Sequence, residues 1–253
     1  MKAIGNFFKK YWITILIYLG IFGAYILISI NENFNGFLFP HFSKVGTAFL
    51  EDFSTLIKNM FSSFSLMIPA VFMATCISII VGTILGMNTV LREKVYPVIY
   101  SISVIPAILM SPFALLIAPT FRSASLFLIT YNTIWPTLFA TINGIMTIDK
   151  RYLDNAATLE MGFIKKLFKV IMPAAMPSIT SGFITSLRGS FLVLVYAEMY
   201  GSKYGMGYYV KKNVEYGMYD KMWAGFVFMI FILVIVMQIF EHTKNRILKW
   251  TIN

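Results

Sequence analysis

Charge is scarce in this chain. Only 13% of its 253 residues are charged and 58% are hydrophobic, whereas a soluble domain carries about 25% charged residues. That excludes an ordinary water-soluble fold. Acidic residues are rarer still, 11 against 21 Lys and Arg, for a net charge of +10. Nucleic-acid binding could explain such an excess. Here, though, most of the basic residues sit at the ends of apolar runs, where membrane topology explains them. Cys76 is the single cysteine, so no internal disulfide can form, and in its apolar run it reads as a small buried hydrophobe. The two histidines, His41 and His242, are far apart in sequence and suggest no metal cluster. No GxxxxGK[ST] segment occurs, which argues against ATP hydrolysis by the P-loop route in this chain. No Ser/His/Asp constellation is visible either, and we read the chain as not an enzyme. The first apolar run lacks a small-residue cleavage site behind it and reads as a retained span.

What is abundant is apolar runs. Six lie near residues 11–30, 66–87, 97–118, 123–147, 178–200 and 222–241, each close to the roughly 20 residues that a helix needs to cross the hydrocarbon. The expected fold is an all-α polytopic membrane protein in a single transmembrane domain, 1–253, with about six transmembrane helices. If the N-terminus is cytoplasmic, then Arg92, Lys94, Lys150, Arg151, Lys165, Lys166 and Lys169 all fall on the inner side, as the positive-inside bias requires. Both termini and the 148–177 loop are then cytoplasmic. Outside, residues 31–60 are long for a loop. Val45, Phe49, Phe53, Leu56, Ile57 and Met60 recur with helical spacing, which predicts an interfacial helix over about 42–60. It serves either as a plain surface helix or as a receptor contact.

The polar stretch from Asp154 to Pro177 stands out between the apolar runs. Leu153, Ala156, Ala157 and Met161 share one helical face, and the two alanines would permit close approach by another surface. Phe163, Ile164, Leu167, Phe168 and Ile171 form a second apolar face opposite Lys165, Lys166 and Lys169. Pro173 and Pro177 are expected to limit this helix and set the entry to the fifth span. A lipid-facing protein has no structural need for such a basic, helix-patterned loop, so a soluble partner is expected to dock there. An amphipathic helix that merely stabilises the loop is the competing account.

This stretch resembles the EAA loop of permease subunits in ATP-driven (ABC) importers that use a separate substrate-binding protein. That pattern is E-A-A, three residues, Gly, nine residues, Ile, one residue, then Leu-Pro. Asp154 takes the Glu place, Asn155 and Ala156 the two Ala places, Val170 the Ile place, and Met172-Pro173 the Leu-Pro place. Glu160 stands where the family has glycine, and Gly162, two residues on, is a candidate to supply the turn instead. Phe39-Pro40, the Gly82/Gly86 pair, Ile105-Pro106, Ser111-Pro112, Trp135-Pro136, and Ala197-Glu198 followed by Gly205-Met206-Gly207-Tyr208 are similar to features of nitrate-, sulfonate- and taurine-type permeases. The likeness covers roughly residues 37 to 250. It implies a type I importer (MetI-like) bundle in a bacterial inner membrane. It also implies a second copy of the chain, two ATP-binding subunits that hold the ATP and Mg, and an external substrate-binding protein or lipoprotein. No cofactor is expected in this chain, and its partners include membrane lipid but no nucleic acid. The coupling residues implied are Asp154, Ala156, Ala157, Leu159, Glu160, Met161, Gly162 and Phe163.

Two charges lie within the fifth apolar run. Arg188 is about ten residues from its cytoplasmic start, about 15 Å deep at 1.5 Å per residue. A charge there costs at least ~2.5–3.5 kcal/mol unless it finds a partner or water. Glu198, ten residues on, is on another face and too far along for a direct pair. Both are candidates for the translocation path, where Arg188 would favour anions; a hydrogen bond to helix carbonyls is the alternative role. The resemblance supports Glu198 but not Arg188, whose spacing differs. In the last external loop Gly205, Gly207 and Tyr208 are candidates for an external gate or receptor contact, against a plain aromatic belt. Gly82/Gly86 is a small-xxx-small motif for packing within the subunit or at a dimer seam. Pro106, Pro112 and Pro136 lie inside apolar runs and predict kinks, beside a path or in ordinary packing. The function expected is a permease that moves a small solute by alternating access, with an organic anion such as a sulfonate, taurine or nitrate favoured. The alternatives are a thiamine-precursor pyrimidine or another small solute, and an autonomous secondary transporter. The last would need an ion relay that Arg188 and Glu198 are too few to form.

Overall fold

In the computed structural model the described residues are 2–30 and 38–249, with side chains of 2–11 and 30 outside the description. The side chains of the N-terminal Lys2, Lys9 and Lys10, and residues 31–37 of the external segment, fall outside it. Among the described residues the chain is helical, with no strand. It forms two compact units, Met1–Ile57 with Tyr209–Phe228, and Lys58–Tyr208 with Met229–Asn253.

The first unit contains α1 (Lys2–Ile30), α2 (Phe42–Glu51), most of α10 (Met206–Glu215) and the start of α11 (Tyr219–Ile247). Pro40 joins α1 to α2: its carbonyl accepts from Tyr25 Oη at 2.9 Å and Ser29 Oγ at 3.2 Å. Val45, Ala48 and Ala224 form the small core. Asp52 closes α2 and accepts from Tyr209 Oη at 2.7 Å and Lys221 Nζ at 3.2 Å. Burial, then the hydrogen bond to Asp52, pushes the Tyr209 phenol above its ordinary pKa, so it stays a donor. The break at Asp52 corrects one expectation. The interfacial helix ends at Glu51, and Phe53, Leu56, Ile57 and Met60 begin α3 (Phe53–Met87), a single 35-residue helix.

In the second unit α4 (Thr89–Ser103) leads through a 3-10 turn, Ala107–Met110, into α5 (Ser111–Ile117). The third apolar run is therefore not one straight helix but a pair bent by 74°. Pro106 causes this, since proline disfavours helix at the residue before it. At the bend Tyr131 Oη donates to the carbonyl of Ile102 at 2.6 Å, which also accepts from Ile105 N at 3.1 Å, and lies 3.1 Å from the carbonyl of Ile105. Among the described residues four helical stretches are long and apolar enough to cross a membrane, at Trp12–Ser29, Phe53–Met87, Phe163–Gly201 and Tyr219–Ile247, and the bent pair, counted as one span, makes a fifth. The sixth expected span is α6 (Phe121–Met146), whose 26 residues would reach about 39 Å. It is not among the apolar stretches because it carries Asn132, Thr133, Thr137, Thr141 and Asn143, several of them buried against protein.

α6 packs along α9 (Met172–Gly201) through small residues. A Cβ on Gly182 would collide with Ala140 and the Pro136 carbonyl, and one on Gly144 would lie 2.8 Å from Ser178 Cβ. Beside Pro136, the Ser186 hydroxyl enters the helical rung, donating to Thr133 O at 2.7 Å and accepting from Thr137 N at 3.2 Å. This is how a buried proline kink keeps its backbone satisfied in lipid. Gly82 and Gly86 of α3 meet Thr141 and Ile145 of α6, with would-be Cβ distances of 2.7 and 2.9 Å. That motif packs within the subunit.

Candidate functional site

The connection after α6 begins with α7 (Lys150–Thr158). Asp149 caps it, accepting from Arg151 N at 2.9 Å and from the Arg151 guanidinium Nε at 3.0 Å. Those bonds to Arg151 hold the Asp149 carboxyl below its ordinary pKa. At the other end Glu160 N–H donates to Ala157 O at 2.9 Å and Met161 N–H to Ala156 O at 3.1 Å. This crossed pair is a Schellman cap, which requires a left-handed residue at its centre. That residue is Glu160, with φ +47°, and among the described residues no other non-glycine residue has a positive φ. Gly162 has φ −58° and caps the following helix. Glu160 itself therefore makes the turn, at the place where the family has glycine, and Gly162 does not substitute for it. Glycine is the usual occupant because it alone pays no Cβ penalty in this conformation.

After the turn, α8 (Phe163–Lys166) runs into a π-helical segment, Leu167–Ile171, and then directly into α9. Pro173 and Pro177 lie inside a helical stretch spanning Phe163–Gly201 and do not end it, which corrects the expected stop. The wider π turn lies just before Pro173, where its missing N–H leaves a rung unfilled.

The faces of the loop also differ from expectation. Ala156 is 2% exposed and turned into the protein, while Ala157 faces out. Ile171 is buried, whereas Leu159, Phe163, Ile164 and Phe168 are each more than 60% exposed. The loop thus presents a row of uncovered large apolar side chains beside the exposed Asp154 and Glu160. Between α7 and the π segment lies an open groove of about 630 Å³, lined by Tyr152, Ala156, Leu159, Met161, Lys169 and Pro173 among others. Of the expected coupling residues, Leu159, Glu160, Gly162 and Phe163 cluster at one outward turn, with Asp154 and Ala157 one helix turn behind. Met161 is half-buried.

The family profile for the binding-protein-dependent transport system inner membrane component matches residues 74–249. The chain belongs to that family. Curated relatives include SsuC of Bacillus subtilis, assigned to aliphatic sulfonates transport, which is 26% identical over 176 residues, 69% of this chain and 63% of that one. The nitrate import permease NrtB and the bicarbonate transport permease CmpB of Synechococcus elongatus are 28% and 31% identical over 138 residues, 54% of this chain and 50% of each. The chain thus spans about half to three fifths of the length of these relatives. Among solved structures, the inward-facing MetNI methionine ABC transporter matches with TM-score 0.64 and 17% identity, over 80% of this chain and 99% of that chain. The fold is therefore MetI-like.

In this inner membrane component the two in-span charges have separate surroundings. Glu198 is fully buried. Its Oε2 accepts from Gly207 N at 2.8 Å. On α3, Asn59 Oδ1 and Ser63 Oγ accept from Gly205 N at 2.8 Å and Met206 N at 2.9 Å. Gly205 has φ +124°, and a Cβ there would collide with the Glu198 carboxylate. Glu198 thus holds the Gly205–Gly207 turn through Oε2 from a buried position, and of the two path candidates Arg188 is the exposed one. Both glycines are buried and Tyr208 half-buried, whereas Lys203 and Tyr204, and farther along the same loop Tyr216 and Met218, are exposed. Arg188, at the middle of α9, has a 65% exposed side chain and meets Glu241 of α11 at 3.5 Å. Glu241 also meets Lys244 at 2.8 Å. The sequence reading missed Glu241, although an acidic residue in the last apolar run was a visible signal. It missed Asn59 and Ser63 too, because nothing in sequence links them to a loop some 140 residues away.

Proposed function

We propose that this chain is the membrane-spanning permease subunit of an ATP-driven importer. It works as a pair of copies with two ATP-binding subunits on the cytoplasmic side and an external substrate-binding protein, with both termini cytoplasmic in a bacterial cell membrane. The observation that carries this reading is the outward turn Leu159–Ile164. It is held by the Schellman cap that ends α7, and it exposes large apolar side chains that have no reason to face water unless a partner covers them. ATP binding on the partner would then move this turn and, through the continuous Phe163–Gly201 helical stretch, tilt the membrane bundle between two accessible states. The substrate is a small anion. Support comes from the relatives, whose names give sulfonates, nitrate and bicarbonate, and from the arginine at mid-span. The test is purification of the tagged chain from native membranes in mild detergent. Stoichiometric recovery of a P-loop ATPase is expected; recovery of the chain alone, under conditions that preserve known complexes, would point to an autonomous transporter and overturn the reading.

A further inference from the structure

Arg188 lies 16 residues from the start of α9 and 13 from its end, so it is about 20 Å or more of helix from either terminus. It does not stand alone. Ser181, Thr185, Arg188 and Leu192 recur at four, seven and eleven residues along one helical face, and all four are exposed. Three of the four are polar. A face of this kind does not rest in hydrocarbon, where a central charge costs at least ~2.5–3.5 kcal/mol; it fits a water-filled passage.

Glu241 divides its carboxylate between two cations, Oε1 toward Arg188 at 3.5 Å and Oε2 toward Lys244 at 2.8 Å. The cluster holds two positive charges and one negative. The Arg188 contact is longer than the 2.7–2.9 Å of a firm charge-assisted hydrogen bond, whereas the Lys244 contact falls in that range. A guanidinium has five N–H donors in a planar fork, and this contact engages only one of its nitrogens. The fork therefore remains open toward the exposed stripe, and it matches a small oxyanion presenting two oxygens.

We propose that Arg188, Glu241 and Lys244 form an anion-binding station on the translocation path, with Glu241 as a built-in counter-ion that the incoming oxyanion displaces from Arg188. This rests on the permease reading above and adds the chemistry of the passage. Glu241 neutralises the arginine when the station is empty, and it keeps occupancy weak enough for release, which conduction requires. Displaced from Arg188, it retains Lys244 as its partner.

The test uses the chain with its co-purified subunits in nanodiscs and measures nitrate and methanesulfonate binding by equilibrium dialysis. Wild type is expected to bind both weakly. Glu241→Gln is expected to bind about tenfold more tightly, the ratio given by removing ~1.4 kcal/mol of competition. Arg188→Gln is expected to lose binding, and Arg188→Lys, which keeps the charge without the fork, to retain part of it. The double variant Arg188→Gln/Glu241→Gln carries no unpaired charge at this pair and controls for folding. Anion binding by the double variant at wild-type strength would reduce the cluster to a structural ion pair and overturn the proposal. So would weaker binding by Glu241→Gln, or no binding by wild type. ATPase retention is read in the same preparations. Retained ATPase with no anion effect sinks the station alone, while a wild-type chain without ATPase sinks the permease reading beneath it.

Discussion

Replacing Glu160 by glycine should tighten the coupling turn. Glu160 sits at φ +47° in the centre of the Schellman cap. A side chain in the left-handed region costs roughly 1–2 kcal/mol. Glycine removes that cost but brings back roughly 0.5–1 kcal/mol of backbone entropy in the opened state. The net stabilisation is about 0.5–1 kcal/mol, equivalent to about two- to fivefold slower local opening. Hydrogen exchange followed by mass spectrometry in nanodiscs reads it directly, because the Glu160 and Met161 amides are the two cap donors. Exchange of the peptide covering α7 and the turn should slow by that factor in Glu160→Gly. It should quicken in Glu160→Val, where the β-branched side chain is worse in this region. Gly162→Ala should change little, since φ there is −58° and no atom lies within 4 Å of the added carbon. Equal or faster exchange in Glu160→Gly, or a larger effect at Gly162 than at Glu160, would refute the assignment of the turn to Glu160.

Other substitutions separate the remaining parts. Leu159→Asp, at a side chain 67% exposed, should abolish ATPase recovery while leaving the melting temperature of the purified chain unchanged. Gly205→Ala should lower that temperature, by the several degrees that roughly 1–3 kcal/mol of backbone strain would cause, because the new carbon meets the Glu198 carboxylate. Ser186→Ala leaves Thr133 O and Thr137 N without their bridging hydroxyl and should cost about 1–3 kcal/mol in denaturant titration. The α7 cap has its own pH dependence. The Asp149 carboxyl is lowered in the folded loop by Arg151, so its contribution is fully present above the ordinary aspartate pKa and is lost as pH falls through the lowered value. A spin label at Ala157→Cys should therefore keep constant mobility from neutral pH down to about pH 4 and gain mobility only below it.

The outline of the molecule was legible because apolar runs and positive flanks follow from the physics of the bilayer, and the loop 154–173 carries both an amphipathic pattern and a recognisable spacing. Its details depended on quantities that side-chain pattern does not encode. Glu160 has no intrinsic preference for a left-handed turn; the helix on its N-terminal side imposes one. Pro106 announced a disturbance but not that it would bend the run by 74°, and Pro173 suggested a stop where the π segment instead lets the helix continue. Which alanine faces inward depends on how α7 lies on the bundle. The reading placed Ala156 and Ala157 together, and the structure buries only the first. Arg188 was conspicuous as a charge deep in an apolar run, but its partner Glu241 lies 53 residues on, a pairing that only the packing of α9 against α11 supplies.

The central claim is that the Leu159 turn is the surface on which the ATP-binding subunit docks. A photocrosslinking residue placed at position 159 in native membranes tests it most directly, with the same residue at the buried position 156 as control. An ATP-binding subunit is expected to crosslink from 159 and not from 156. Absence of that product at 159, or a stronger one from 156, would contradict it.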